Sequence, residues 1–222
     1  MARTQIRQET AQPIAAPPAA AAPRSVTCYR VARLDLAAGP ILCLVRALSE
    51  DVATLDIDVP FATQSAAALQ IAGHRIDGAL VRIGDGKAEF RADAPIEIDQ
   101  ILADPSMIAS AGQRALPRVE VDARARIDAG VHRLAARVRD ISTDGVKIFT
   151  EELLATGDAV RVVLKGIESP MPGTVRWCRG DYAGIEFAQR LPIGRLNAWL
   201  SRQGAEDDDG ERDWTPPIIS KS

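Results

Sequence analysis

The chain has 222 residues, which is long enough for one large domain or two small ones. Its formal charge of −3 gives no overall basic field, and aromatic residues at 4% leave few platforms for base stacking, so no DNA or RNA partner is expected. Three isolated cysteines (Cys28, Cys43 and Cys178) and two histidines show no metal-ligand spacing, which is typical of a cytoplasmic protein with free, buried thiols.

Residues 1–24 are rich in alanine and proline. The run at 14–23 is alanine broken by prolines, without the bulky apolar core of a signal peptide. We therefore predict a disordered, polyproline-like tail. No stretch of the sequence approaches the ~20 apolar residues that a membrane-spanning helix needs, so no membrane span is expected.

A first barrel is predicted over residues 25–95. Short β-type runs alternate there with turn signals, at spacings typical of an all-β barrel or sandwich. A linker that is helical in part follows at 96–113, interrupted by Pro105. The runs of the first barrel are 26–36, 41–47, 52–59, 66–72, 76–83 and 87–90.

A second barrel is predicted over residues 114–202. From Val119 to Ile127 the odd positions are apolar and the even positions charged, which indicates a strand with one buried face. Further strands are predicted at 134–141, 146–150, 159–165, 174–178 and 182–188. Pro192 then opens a short helix in which Leu196, Trp199 and Leu200 share a face. The fold class is therefore all-β with short helices, as two small antiparallel barrels in tandem.

The last segment, 203–222, is predicted to be an acidic, disordered tail. It either competes with a ligand for nearby arginines or simply keeps the protein soluble. Trp214 near its end is compatible with a partner-docking peptide and equally with an inert terminus. Trp177, in the second barrel, is favoured as a core residue over a stacking surface for a ligand.

Two short motifs carry the functional information in this chain. Arg114 and Arg118 lie four positions apart beside a proline, and offer a double fork for phosphate oxygens and guanine edges. One hairpin later, Asp140, Ser142 and Gly145 place a carboxylate, a hydroxyl and a glycine at a strand turn, where backbone can approach a ligand closely. Arg137, Arg139 and Lys147 are expected to raise the local positive potential on the outer face nearby.

These motifs, R-A-L-P-R at 114–118 and D-I-S-T-D-G at 140–145, resemble the RxxxR and [D/N]xSxxG motifs of the PilZ domain family. The resemblance covers about residues 110–202. It implies a small barrel closed by a C-terminal helix that binds cyclic di-GMP. Arg114 and Arg118 would grip phosphates and the guanine Hoogsteen edge, Asp140 would accept guanine N–H groups, Ser142 would contact a phosphate or base, and Gly145 would leave room. Gln113 stands where an arginine favours a stacked ligand dimer, so one bound ligand is expected.

The two halves of the chain read as repeats. Residues 45–52 line up with 138–145, and 88–92 echo 184–188. Where the second copy has Asp140 and Gly145, the first has Ala47 and Val52. The first barrel is therefore interpreted as a degenerate PilZ-like copy that keeps the scaffold without the ligand motifs.

The resemblance predicts a non-catalytic cyclic di-GMP receptor that needs no other cofactor. No nucleophile–base pair, HExxH, P-loop or GxSxG motif indicates an enzyme. Ligand binding would order the linker and change the arrangement of the barrels. The layout resembles flagellar-brake proteins, which implies control of motility, biofilm or exopolysaccharide through an unidentified downstream protein. The alternative is a PilZ-fold interaction adaptor that binds no nucleotide.

Overall fold

The computed structural model describes residues 25–62, 64–103 and 116–206. These residues form two closed, six-stranded antiparallel barrels in tandem, which confirms the predicted fold class. The first barrel contains β1 (Val26–Leu36), β2 (Gly39–Leu48), β3 (Val52–Asp56), β4 (Gln64–Ile71), β5 (His74–Gly84) and β6 (Lys87–Ala92), followed by α1 (Ile98–Ala103). The second contains β7 (Val119–Ala129), β8 (His132–Ile141), β9 (Gly145–Phe149), β10 (Ala159–Leu164), β11 (Met171–Arg179) and β12 (Tyr182–Phe187), closed by α2 (Ile193–Glu206).

The apolar alternation of β7 builds the core of the second barrel. Val119 and Ile127 are fully buried there, while the charged residues between them are exposed, apart from Arg126, which is 7% exposed. Helix α2 closes this barrel with Leu196 and Trp199, both fully buried, and Trp199 Nε1 donates a hydrogen bond of 2.8 Å to the carbonyl of Lys165. The face predicted for α2 is therefore its packing face.

The two barrels share one strand order and one pattern of irregularities. In both, strands are joined as first–second–third–sixth–fifth–fourth around the barrel. The second and third strands shift register between Val45 and Ala47 in the first barrel, and between Val138 and Asp140 in the second. Strand pairing therefore places Ala47 where the second barrel has Asp140, as the sequence predicted.

The second predicted correspondence is out of register by one residue. Ala88 pairs with Leu55 in the first barrel, and Ala183 pairs with Ile148 at the corresponding place in the second. Ala88 is thus the counterpart of Ala183 and not of Gly184. The fully buried position of Phe90 is accordingly filled by Ile185 in the second barrel, whereas the predicted correspondence set Phe90 against Glu186.

A buried amide links the two barrels. Asn197 on α2 is fully buried; its Oδ1 accepts the Leu42 N–H at 2.9 Å and its Nδ2 donates to the Leu42 carbonyl at 2.8 Å. The Leu42 side chain, which belongs to β2 of the first barrel, packs into the apolar cluster of the second. We call these contacts between Asn197 and Leu42 the interbarrel joint.

Several predicted segments fall partly outside the described residues. The N-terminal tail, Pro105 and Trp214 all lie outside them, whereas the helical part of the linker is seen as α1. Helix α2 continues to Glu206, into the segment predicted as an acidic tail.

The described part of the chain adds three observations. None of its helices is long and apolar enough to cross a membrane. None of its clusters of histidine, cysteine and acidic side chains is arranged to hold a metal ion. Cys43 is a free thiol inside the first barrel, and burial raises its pKa to about 12.

Candidate functional site

The structure brings one residue of each motif together. Arg118 precedes β7 and Asp140 lies near the end of β8, and the Arg118 Nη1 atom forms an ion pair with the Asp140 Oδ1 atom. Their side chains are 25% and 14% exposed, so the pair is partly shielded from water but open to a ligand. Arg114, the other predicted arginine, lies outside the described residues.

A β-bulge turns Asp140 out of the barrel. Val138 points inward and is fully buried, so strict alternation would also point Asp140 inward. The register shift at Arg139 inserts one extra residue, which reverses the face that follows. Asp140 therefore meets Arg118 on the outer surface, while Ile141 returns to the core.

Ser142 is committed to the turn between β8 and β9. It is 2% exposed; its Oγ donates to the Gly145 carbonyl and accepts from the Asp144 N–H, both at 3.3 Å. Ser49 in the first barrel likewise donates to the Val52 carbonyl, and it accepts from the Val52 N–H. The structure therefore gives Ser142 a turn-forming role, and its predicted ligand contact stays a prediction.

Gly145 permits a close approach between strands β9 and β12. A Cβ atom on this residue would lie 2.4 Å from the Ile185 carbonyl oxygen, closer than real Cβ atoms come to any backbone atom. The glycine is thus required by the barrel itself, beside any room it leaves for a ligand.

Replacing Gly145 by alanine is expected to lower the free energy of unfolding by about 1–3 kcal/mol, because the strands must shift to admit the methyl group. Urea unfolding of the purified protein measures this change. The control is Val52→Ala at the equivalent position, which removes methyl groups without creating a clash. Unchanged stability in Gly145→Ala would show that the close approach is not a constraint.

A cavity of about 710 Å³ opens beside the Arg118–Asp140 pair. Its volume lies in the range of about 300–1,000 Å³ typical of small-molecule sites. Three carboxylates, two cations and a phenol contribute to its wall, so it offers acceptors for N–H groups as well as partners for anions. The lining residues are Glu120, Val121, Asp122, Arg139, Asp140, Lys147 and Tyr182. We call this space the outer cavity.

Two groups of side chains form the wall of the outer cavity: a charged cluster around Asp122, and a lysine that contacts an aromatic pair. Asp122 accepts hydrogen bonds from Arg137 at 2.7 and 2.8 Å and from Arg139 at 3.2 Å. The hydrogen bonding from Arg137 holds the pKa of Asp122 below its usual value, against the opposing effect of burial. The Lys147 ammonium lies 4.9 Å from the ring centre of Tyr182, which packs edge-on against Phe149.

Trp177 lies on the outside of the barrel, so its predicted place in the core is wrong. Its indole covers Gly184, where an added Cβ would lie 2.1 Å from the Trp177 Nε1 atom. The cause is a second bulge: Val175 is fully buried, and the register shift before Trp177 reverses the face of the strand.

Sequence reasoning missed Glu120, Asp122 and Tyr182 as lining residues of the outer cavity. The alternating pattern predicts only that Glu120 and Asp122 face solvent. Their positions are in fact next to Asp140, because Glu120 pairs directly with it across β7 and β8. Tyr182 belongs to β12, and only the register of that strand with β9 brings it to the site.

The comparisons with known proteins give one family model and several structures of similar fold. Residues 112–201 match the family model described as the PilZ domain. No curated protein matches the sequence. Among solved structures, the chain is similar to the PlzA protein of Borreliella burgdorferi in complex with c-di-GMP, at 11% identity and a TM-score of 0.39, over 78% of this chain and 87% of that one.

Two further structures are similar. The inhibitor of motility of Bacillus subtilis has 10% identity and a TM-score of 0.35, over 82% of this chain and 97% of that one. YcgR of Escherichia coli in complex with c-di-GMP has 13% identity and a TM-score of 0.33, over 82% of this chain and 88% of that one.

Proposed function

Since residues 112–201 match the family model of the PilZ domain, we propose that the second barrel is a non-catalytic receptor for cyclic di-GMP. The observation that carries the proposal is the meeting of Arg118 and Asp140 beside the outer cavity. These residues come from different motifs, 22 positions apart, and share no role in the core.

The chemistry of the pair suits a guanine dinucleotide. The planar guanidinium of Arg118 fits guanine O6 and N7 or a phosphate in a bidentate manner. The Asp140 carboxylate accepts hydrogen bonds from the guanine N–H groups. In the ligand-free protein each charge is neutralised by the other, so a ligand replaces an existing ion pair. We propose that Arg114 is the second arginine that binds the dinucleotide.

The same arginine provides a route from the ligand to the first barrel. Arg33 Nη1, on β1, donates to the Arg118 carbonyl at 3.3 Å. Drawing Arg114 and Arg118 onto a dinucleotide would displace this backbone, and we propose that the arrangement of the two barrels changes as a result. The shift in that equilibrium is limited by the difference in ligand affinity between the two arrangements.

The proposal extends to the cellular role as the sequence predicted it. The protein would act in the cytoplasm, pass the signal to a downstream protein partner and control motility, biofilm or exopolysaccharide. No nucleic acid is included as a partner.

Calorimetric titration of the full chain with cyclic di-GMP, beside GTP and cyclic AMP, tests the function directly. We expect one site with roughly micromolar affinity, about 8 kcal/mol, for cyclic di-GMP, and far weaker binding of the other two nucleotides. Absence of heat at millimolar cyclic di-GMP would overturn the receptor assignment.

The absence of binding heat would favour the second candidate function, which is a PilZ-fold adaptor that works through protein contacts alone. The observation in its favour is the first barrel, which keeps the complete strand order with Ala47 and Val52 in place of the acidic residue and the glycine.

A further inference from the structure

The first barrel serves as an internal reference for the outer cavity, because strand pairing matches its positions to those of the second barrel. Asp140 pairs with Lys147 across β8 and β9, and Ala47 pairs with Thr54 at the same place across β2 and β3. Tyr182 pairs with Phe149, and Lys87 pairs with Asp56 at the same place. Thr54 and Lys87 are therefore the counterparts of Lys147 and Tyr182.

Positions around the cavity divide into two groups in this comparison. Ser142 and Arg139 are retained in the first barrel as Ser49 and Arg46, so they accompany the fold. Lys147 and Tyr182 are lost in the copy that also lacks Asp140 and Gly145. The fold is built without them, which indicates that they serve the function specific to the second barrel.

The geometry of Lys147 agrees with a binding role. Its strand neighbour Asp140 is already paired with Arg118, and among the residues that the structure describes no carboxylate forms an ion pair with Lys147. Its ammonium instead lies over the Tyr182 ring, at 4.9 Å from the centre. An ammonium group in this position, at the wall of a cavity, is a suitable partner for a phosphate.

Tyr182 supplies the aromatic surface next to that cation. Its side chain is 39% exposed, although the ring is held at one edge by Phe149, with 5.5 Å between the ring centres. A fixed, exposed ring can stack on a purine without a large loss of side-chain freedom. Both residues line the same cavity as Asp140.

We propose that Lys147 and Tyr182 form a second subsite of the outer cavity, in which Lys147 binds a phosphate and Tyr182 stacks on the purine distal to Arg118 and Asp140. This inference rests on the proposed function, because it assigns the other half of the same dinucleotide. It explains why the cavity extends from Asp140 across β9 to β12.

The test is calorimetric titration of the full chain with cyclic di-GMP in wild type, Lys147→Thr and Tyr182→Leu. Lys147→Thr installs the residue of the first barrel and is expected to weaken binding about tenfold at low salt, since a charged hydrogen bond is lost. Tyr182→Leu is expected to weaken binding about fivefold or more through lost stacking. Tyr182→Phe keeps the ring and is expected to bind like wild type.

The dependence of binding on salt concentration distinguishes the role of Lys147 from that of Tyr182. The difference between wild type and Lys147→Thr is expected to shrink at high salt because exposed charges are screened, while the effect of Tyr182→Leu persists. The control is Arg161→Ala on β10, which removes one positive charge as Lys147→Thr does. Arg161 lies opposite Asp128 in the strand register, at the far end of β7, and does not line the cavity. Urea unfolding midpoints show whether each variant is folded.

The outcomes are distinguishable. Wild type that fails to bind would overturn the receptor function itself. Wild type that binds, with Lys147→Thr and Tyr182→Leu both indistinguishable from Arg161→Ala, would overturn the second subsite and leave the receptor function standing.

Discussion

Replacement of Asn197 by alanine is expected to separate the unfolding of the two barrels and to destabilise the protein by roughly 2–5 kcal/mol. The amide satisfies the N–H and the carbonyl of Leu42, and both are buried. Each buried backbone group left without a partner costs about 1–3 kcal/mol. Urea unfolding followed by circular dichroism measures the loss, and limited proteolysis of the segment between the barrels reports their separation.

The matched control lies one helical turn away. Ser201 Oγ donates to the Asn197 carbonyl at 3.0 Å within α2, so Ser201→Ala removes a local hydrogen bond without touching the first barrel. A change of less than about 0.5 kcal/mol is expected there, as for most surface substitutions. If Asn197→Ala unfolds at the same urea concentration as wild type and in one transition, the interbarrel joint contributes nothing to stability.

Replacement of Arg118 by alanine is expected to reduce the affinity for cyclic di-GMP by roughly tenfold to a hundredfold, or about 1.5–3 kcal/mol. The variant removes the guanidinium proposed to hold the guanine edge or a phosphate, and leaves Asp140 without its ion-pair partner. Calorimetry under the conditions used for wild type gives the affinity. Arg118→Lys is expected to recover only part of it, because a single ammonium lacks the planar fork.

Asp140→Asn complements this experiment. It keeps an acceptor oxygen but removes the charge, so it is expected to bind more weakly than wild type and more tightly than Arg118→Ala. Arg161→Ala again controls for the general loss of a positive charge. Equal affinities of wild type and Arg118→Ala would remove Arg118 from the site, whether or not the protein binds the nucleotide.

The strands and the closing helix were predictable because their signals are local. Alternation from Val119 to Ile127 indicated both the extent of β7 and its buried face, and the apolar spacing of Leu196 and Trp199 indicated the packing face of α2. The pairing of Arg118 with Asp140 was predictable only through the family motifs, since nothing in either segment alone specifies the other.

At the β-bulges, alternation in the sequence fails to predict which face of a strand is buried. Alternation assumes one residue per position, and an extra residue reverses every face that follows it. Alternation from the buried Val175 would point Trp177 into the core, whereas its ring covers Gly184 on the outside. At the bulge in β8 the sequence offers one signal, because Val138 and Ile141 are both apolar and a regular strand cannot turn two residues at an odd spacing to the same face.

Contacts between residues far apart in the chain could not be predicted from the sequence, for a different reason. Asn197 and Leu42 are 155 positions apart, and an asparagine on a helix is ordinarily a surface residue. The tight fit at Gly145 likewise depends on the distance between β9 and β12, which neither segment specifies by itself. Only the assembled barrels create these requirements.

Both hydrogen bonds of Asn197 originate from one rigid, planar group, so they form and break as a unit. A rotation of α2 by even a fraction of a turn would deprive Leu42 of donor and acceptor at once. Relative motion of the two barrels therefore has two forms at this point. It is either a pivot that leaves both hydrogen bonds of the amide intact, or a displacement that breaks both of them together.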